Sequence, residues 1–261
     1  MKTSIRRKLA IASWWSPREG NIYGKLTVDA GPALAYLEKV RAETGEKVTI
    51  THLVGRAVGE ALKNAPTLNG RIVWGGYRPH ATVDVAFLVA LEDGKDLAKA
   101  KVCNVDKKSV VEIARELKGR ALALRAGKDA EFEKSKKLIR LLPTWALRRL
   151  VTFTGWLTGA VGMNARGLGL EAFPFGACII TNVGVFGLDE GFAPPTPFAH
   201  VPVYVLVGAV RDRPAVVDGK IVVQPQLTLC ATIDHRFIDG AQGGILAKIV
   251  RQVLENPGLI A

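Results

Sequence analysis

Gln226-Leu227-Thr228-Leu229-Cys230-Ala231-Thr232-Ile233-Asp234-His235-Arg236-Phe237-Ile238-Asp239-Gly240 carries two structural signals and one chemical one. Up to Ile233 the apolar residues alternate, with Leu227, Leu229, Ala231 and Ile233 on one side, which predicts a strand with a buried face. Directly after Gly240 the period changes. Ile245, Leu246, Ile249, Val250, Val253 and Leu254 share one face of a helix, and Asn256-Pro257-Gly258 stops it. Between the two, His235 sits at a bend, with a carboxylate, Asp239, four residues on and a glycine that permits a sharp turn. That is a setting for a proton-transferring imidazole.

The same two periods recur toward the N-terminus. Ala33, Leu34, Leu37 and Val40 predict a helix ending near Gly45, and Leu53, Val54, Ala57, Val58, Ala61 and Leu62 a second, opened by Thr51 and closed near Pro66. Ile72-Val73-Trp74, Gly75-Gly76 and Tyr77 read as a short hairpin, and Val83 to Ala90 as a buried strand. Ser109 with Glu112 three residues later is a capping box, predicting a helix through about Arg125. Strands dominate after Gly176: Ala177 to Thr181, Val203 to Val210, and Ile221 to Val223 after a turn at Asp218-Gly219. Helices and strands are mixed along the chain, and with no internal repeat or Pro/Ser-rich linker one α/β domain is favoured.

The chain has 261 residues, 48% apolar and 23% charged, an ordinary globular mixture that excludes disorder. Thirty-six Lys and Arg against 24 Asp and Glu leave +12, so the surface favours polyanions: nucleic acid, anionic lipid or phosphate-bearing small molecules. No signature interleaving aromatic and basic residues supports nucleic acid. Cys103, Cys178 and Cys230 match neither a disulfide framework nor a zinc site, which suits a reducing compartment and argues against a structural metal. The basic, briefly apolar start from Met1 to Trp15 is too short for a secretory signal and lacks a cleavage site, and no run reaches the roughly 20 residues of a membrane span. A cytoplasmic protein is expected. His52, His80 and His200 read as surface or capping residues.

Residues 134–170 stand apart. They hold no acid, while Lys134, Lys136, Lys137, Arg140, Arg148, Arg149 and Arg166 accompany many apolar side chains, Trp145, Phe153 and Trp156 among them. Such a stretch can lie on a membrane at its inner face, with cations on the phosphates, or form helices packed on the same domain or a neighbouring subunit. Pro143 is expected to divide it into two short helices.

Several segments, in order, resemble the coenzyme A-dependent acyltransferases that include the catalytic domain of the dihydrolipoamide acyltransferases of 2-oxo acid dehydrogenase complexes. Chloramphenicol acetyltransferase is a more distant relative. Ile5-Arg6-Arg7-Lys8-Leu9-Ala10 is similar to the family's opening Ile-Arg-x-x-Ile-Ala, and Leu26-Thr27-Val28-Asp29 to its first strand. Asp106 to Ala114 resembles the segment before a family helix. Ile180-Thr181-Asn182-Val183-Gly184-Val185-Phe186-Gly187 is similar to Ile-Ser-Asn-x-Gly-x-Phe-Gly. Val207-Gly208-Ala209-Val210, Arg213-Pro214, Val217-Asp218-Gly219 and Asp234 to Ala241 complete the pattern, over about residues 2–130 and 172–258.

The resemblance implies a chloramphenicol acetyltransferase-like fold, an α+β two-layer sandwich whose mixed sheet has helices packed on one face. It implies that His235 is a general base drawing the proton from a thiol, of coenzyme A or a dihydrolipoamide-like acceptor, as the sulfur attacks a thioester. An ordinary thiol and imidazole differ by about two pKa units, roughly 2.7 kcal/mol, so a positioned imidazole makes that transfer accessible. Thr181 stands where the family places a serine hydroxyl on the oxyanion. Asp239 is implied to steady the turn by bonding an arginine, with Arg6 as partner and Arg7 as the alternative. Asn182, Arg236 and Gly240 are carried over as coenzyme A-binding candidates.

The family's site lies between subunits, so a homotrimer is expected, with possible assembly into a cubic core. Three departures qualify the inherited substrate. No lipoyl domain or linker precedes the catalytic part, so no covalently bound lipoyl group is expected. Lys99, Lys101 and Cys103 interrupt a family motif and are expected to alter the channel mouth. A basic apolar helical insertion occupies about 131–171, expected to shape a tunnel for longer acyl chains or to dock on a membrane. The competing reading is a non-catalytic oligomeric scaffold or membrane-surface adaptor that retains the fold.

Overall fold

The computed structural model describes residues 20–91, 96–125, 141–165 and 170–260. The opening motif with Arg6 and Arg7, the cations of 134–140, and Arg166 lie outside them. The described strands are β1 (Asn21–Asp29), a hairpin of β2 (Gly70–Val73) and β3 (Gly76–Pro79), β4 (Val85–Leu91), β5 (Asp96–Val102), β6 (Cys178–Asn182), β7 (Val203–Val207), β8 (Arg211–Val217) and β9 (Lys220–Asp234). The helices are α1 (Gly31–Thr44), α2 (Ile50–Asn64), α3 (Val110–Arg125), α4 (Thr144–Gly155), continued by a π-turn at Trp156–Val161, and α5 (Gly240–Glu255).

Seven strands form one mixed sheet in the order β1-β9-β7-β6-β4-β5, with β8 paired to the first part of β9. β4, β6 and β7 run parallel and the other pairings are antiparallel. The alternation of β9 is realised as expected. Leu227, Leu229 and Ile233 join Val203, Val205, Val85 and Phe87 under α1, α2, α3 and α5 in the main core. Thr228, Cys230 and Thr232 point to the other face and are also buried; residues 190–196 lie over that face, where Glu190 pairs with Lys25, Phe192 packs on Tyr23 and the Thr196 N–H donates to Tyr204 Oη. There Ala86, Ile179 and Tyr204 pack with Ala199 and Val201. The fold is the expected two-layer arrangement, except that α4 contacts the 197–199 turn and so belongs to the second face, away from the other four helices.

Local chemistry sets the element ends. Gly45, at φ +68°, closes α1 in a left-handed turn that a side chain would strain. Ser109 and Glu112 form the expected box: the Ser109 N–H donates to Glu112 Oε2 at 2.8 Å and the Glu112 N–H to Ser109 Oγ at 3.2 Å. α2 is opened by Thr49, not Thr51, since the Thr49 N–H donates to His52 Nδ1 at 3.0 Å. The two strand readings over 221–233 are one strand that changes partner, leaving β8 and taking up β1 at Gln226. Pro225 fits at that junction, where its missing N–H interrupts little and its carbonyl accepts the Ala30 N–H at 2.8 Å. β5 and β8 escape the sequence reading because lysines and arginines break their patterns.

Candidate active site

Both arms of the His235 turn are anchored. Coming off β9, the Asp234 N–H donates to Pro202 O and the His235 N–H to Gly20 O, each at 2.9 Å. Phe237 and Ile238 are buried in the core, with Phe237 edge-on to Tyr77 at 6.3 Å between ring centroids. Asp239 then caps α5: its Oδ1 accepts the Gln242 N–H at 3.0 Å and Gln242 Oε1 accepts the Asp239 N–H at 3.1 Å. With its neighbours held, His235 is left exposed.

The ring's orientation is fixed by one contact. His235 Nδ1 lies 2.7 Å from Ile238 O. A carbonyl oxygen only accepts, so Nδ1 carries the proton and donates. In the neutral ring Nε2 therefore keeps its lone pair, turned to solvent, where a substrate proton can be taken. Arg236 turns back along the chain: its Nε donates to Asp234 Oδ1 at 3.0 Å, and that carboxylate raises the arginine's pKa. Gly240 is the first residue of α5, with open space where a side chain would stand. Asp239 serves its helix cap; its expected partner Arg6 is outside the described residues.

The second motif lies elsewhere on the sheet. Thr181 is opposite Leu206 on β7, and Leu206 is opposite Cys230 on β9, five residues short of His235. At about 3.3 Å per residue that is roughly 17 Å along the strands, before the sideways step across β7. Thr181 and His235 of one chain cannot touch the same reacting atoms. Thr181 shares with Ile179 the face away from the main helices and is half-buried. Asn182 faces the helices and is occupied: its Nδ2 donates to Thr51 Oγ1 at 2.7 Å and its Oδ1 accepts the Val185 N–H at 3.3 Å, tying the strand end to α2.

Lys99 and Lys101 are engaged within the fold. Their ammonium groups lie 3.4 and 2.6 Å from Glu171, and they donate to Pro174 O and Phe173 O at 3.3 and 3.1 Å. Burial raises the Glu171 pKa, but the two lysines outweigh it and hold the carboxyl below its usual range. Burial also pushes the Cys103 thiol up, away from reactivity. His52 caps α2, as expected of a capping residue. His80 and His200 are half-buried rather than surface groups, and burial lowers both.

His200 marks a feature not anticipated in position. It lines a groove of about 990 Å³ between α4 and the 197–200 turn, and Arg236 lies near enough to lower its pKa further. Pro202, two residues beyond His200, accepts the Asp234 N–H, so the His200 end of the groove lies toward the His235 turn. Behind that turn an apolar cavity of about 280 Å³ opens between α2, α5 and the sheet at Asp239 and Gly243. Among the described residues no cluster of acids, histidines and cysteines could hold a metal, and no helix is long and apolar enough to cross a membrane.

The family described as 2-oxoacid dehydrogenases acyltransferase (catalytic domain) matches residues 18–137 and 162–261. A dihydrolipoyllysine-residue acetyltransferase component of the pyruvate dehydrogenase complex of Bacillus subtilis is 29% identical over 227 residues, covering 85% of this chain and 41% of that one. The chain thus spans about two fifths of the length of such curated relatives. Among solved structures, a probable dihydrolipoamide acetyltransferase from Listeria monocytogenes superposes with a TM-score of 0.67 at 22% identity, covering 96% of this chain and 89% of that one. A chloramphenicol acetyltransferase superposes at 0.52 and 12% identity, over 96% and 94% of the two chains. These superpositions establish a shared fold.

Proposed function

Since the chain belongs to the 2-oxoacid dehydrogenase acyltransferase (catalytic domain) family, we propose that it moves an acyl group between coenzyme A and a thiol, dihydrolipoamide-like or another small acceptor, with His235 as general base. The incoming sulfur forms a bond to the thioester carbonyl carbon while His235 Nε2 takes its proton. The carbonyl electrons move to oxygen. When the intermediate collapses, the original C–S bond breaks and the departing thiolate recovers the proton from the imidazolium. No acyl-enzyme forms and the base is regenerated.

The observation that carries this reading is the exposed His235 ring with Nδ1 bonded to Ile238 O, which directs the basic nitrogen outward. The oxyanion needs a donor, and one well-placed hydroxyl contributes about 3 kcal/mol in the transition state. Thr181 supplies it in this reading, but from a neighbouring copy, because its own His235 is too distant. The working unit is then a closed homo-oligomer, a trimer, with sites between subunits. Free Cys103, Cys178 and Cys230 support a reducing, cytoplasmic setting.

The test is acyl transfer from acetyl-CoA to dihydrolipoamide. His235→Ala should lower kcat/KM by about 10²- to 10⁴-fold with assembly unchanged. Equal, measurable rates in variant and wild type would remove His235 as the base, and no transfer by the wild type would leave the scaffold reading in its place.

A further inference from the structure

Residues 138–161 lie outside the family match, and α4 with its π-turn occupies most of that gap. The element is seated closely. A Cβ on Gly155 would stand 2.4 Å from Phe198 O, and one on Gly159 3.0 Å from Ala199 O, so these glycines let α4 lie directly on the 198–199 backbone. Arg71 Nε donates to Ala160 O at 2.7 Å and pins the π-turn to β2. Trp74 packs edge-on to Trp156, and Phe153 stacks on it at 28° between ring planes.

What this support presents is a continuous stripe. Trp145, Arg148, Arg149, Thr152, Phe153 and Trp156 recur at helical spacing and line the groove, with Pro197 and His200 opposite. From Trp145 to Trp156, at about 1.5 Å per residue, the stripe runs roughly 16 Å. Its Trp156 end meets the 198–200 turn, and Pro202, two residues beyond His200, accepts the Asp234 N–H, which brings that end toward the His235 bend. Trp145 and Phe153 remain 66% and 57% exposed, more aromatic surface than stability alone explains. The Arg149 guanidinium lies 5.7 Å from the Trp145 ring centre, so cations flank the aromatic wall.

We propose that this groove seats the acyl group of the substrate and selects long-chain aliphatic or aryl acyl thioesters, the carbonyl at the Trp156–His200 end and the tail running toward Trp145. An aromatic-walled groove running from near the His235 bend fits a chain extending from a thioester carbon. The proposal rests on His235 being the base of thioester exchange.

Two measurements separate them. The first compares kcat/KM for acetyl-CoA and decanoyl-CoA in wild type, Trp145→Ala and Phe153→Ala. Both side chains are largely exposed, so truncation spares the core. Wild type should prefer decanoyl-CoA, and each variant should lose about 10-fold or more on it while acetyl-CoA stays within about twofold. The second titrates His235→Ala with decanoate and reads tryptophan fluorescence, which needs no turnover; Phe153→Ala in the same background should weaken the response at least tenfold.

Equal losses on both thioesters would assign the groove to the nucleotide end and overturn the proposal. Variants that fall apart in sedimentation, or leave anionic vesicles, with chain preference intact would assign the face to a subunit contact or a lipid surface and overturn it likewise. A wild type that binds decanoate yet turns over neither thioester would sink the base reading and leave the groove standing.

Discussion

His235 Nδ1 and the carbonyl oxygen of Ile238 lie 2.7 Å apart, a contact that assigns the ring's tautomer. Free neutral histidine favours the proton on Nε2, whereas a fixed carbonyl acceptor holds it on Nδ1. ¹⁵N NMR of the ring-labelled protein above pH 8 is expected to show Nδ1 protonated and Nε2 unprotonated. An Nε2-protonated ring would remove the basic nitrogen from the exposed side and with it the role given to His235.

Asp239 separates two ways of steadying that turn. As the cap of α5, it needs an oxygen facing the Gln242 N–H, which asparagine also supplies. Asp239→Asn should retain nearly full stability and activity. Asp239→Ala should lose about 1 kcal/mol in urea unfolding and several-fold in rate. If the residue instead works through its charge on an arginine, Asp239→Asn should fail as badly as alanine.

Two half-buried histidines contribute to the acid limb of stability. Burial brings His52 to about 4; burial, with help from Arg71 and Lys101 and against Asp84, brings His80 to about 4. Unfolded histidine titrates near 6.5. Between roughly pH 6.5 and 4 the unfolded chain therefore binds protons that the folded chain does not, so stability falls as pH falls. Each group accounts for roughly 2 to 3 kcal/mol by pH 4.5. In urea titrations from pH 7 to 4.5, His52→Gln, which keeps an acceptor for the Thr49 N–H, should lose correspondingly less than wild type.

Gly155 and Gly119 are both helical glycines with opposite expectations. At Gly155 an added methyl meets Phe198 O at 2.4 Å, a backbone atom that cannot swing aside, so Gly155→Ala should cost about 1 to 3 kcal/mol and disturb the α4 groove. At Gly119, exposed in α3 with nothing within 4 Å, Gly119→Ala should stabilise by about 0.5 to 1 kcal/mol. Thermal melts of the two variants read the difference directly.

What could be read from the chain alone was local. The β9–His235–α5 passage, the Ser109 box and the 70–79 hairpin announce themselves because their signals lie within a few neighbouring residues. β5 does not, since the partners of buried Lys101, Glu171 and Phe173 O, lie some seventy residues on. The aromatic and basic character of 144–156 was evident, but its groove depends on the 197–200 turn, a contact no periodicity encodes. Thr181 and His235 were expected to act together. The register of β6, β7 and β9 keeps them apart within one chain, a relation that only the strand order reveals.

That separation yields the sharpest test of a shared site. Suppose Thr181 of one copy serves His235 of the next around a closed ring. His235→Ala and Thr181→Ala proteins should each be nearly inactive, down about 10²-fold or more. Mixed and reassembled in equal amounts, random subunits pair an intact His235 with an intact Thr181 at about one site in four, so roughly a quarter of wild-type activity should return. A hydroxyl acting on its own chain's histidine predicts no gain on mixing, because every chain then carries one lesion. Recovery near a quarter would thus show that the 17 Å gap is closed by a second subunit, and flat activity would mean that Thr181 is not the oxyanion donor or that the chains do not share sites.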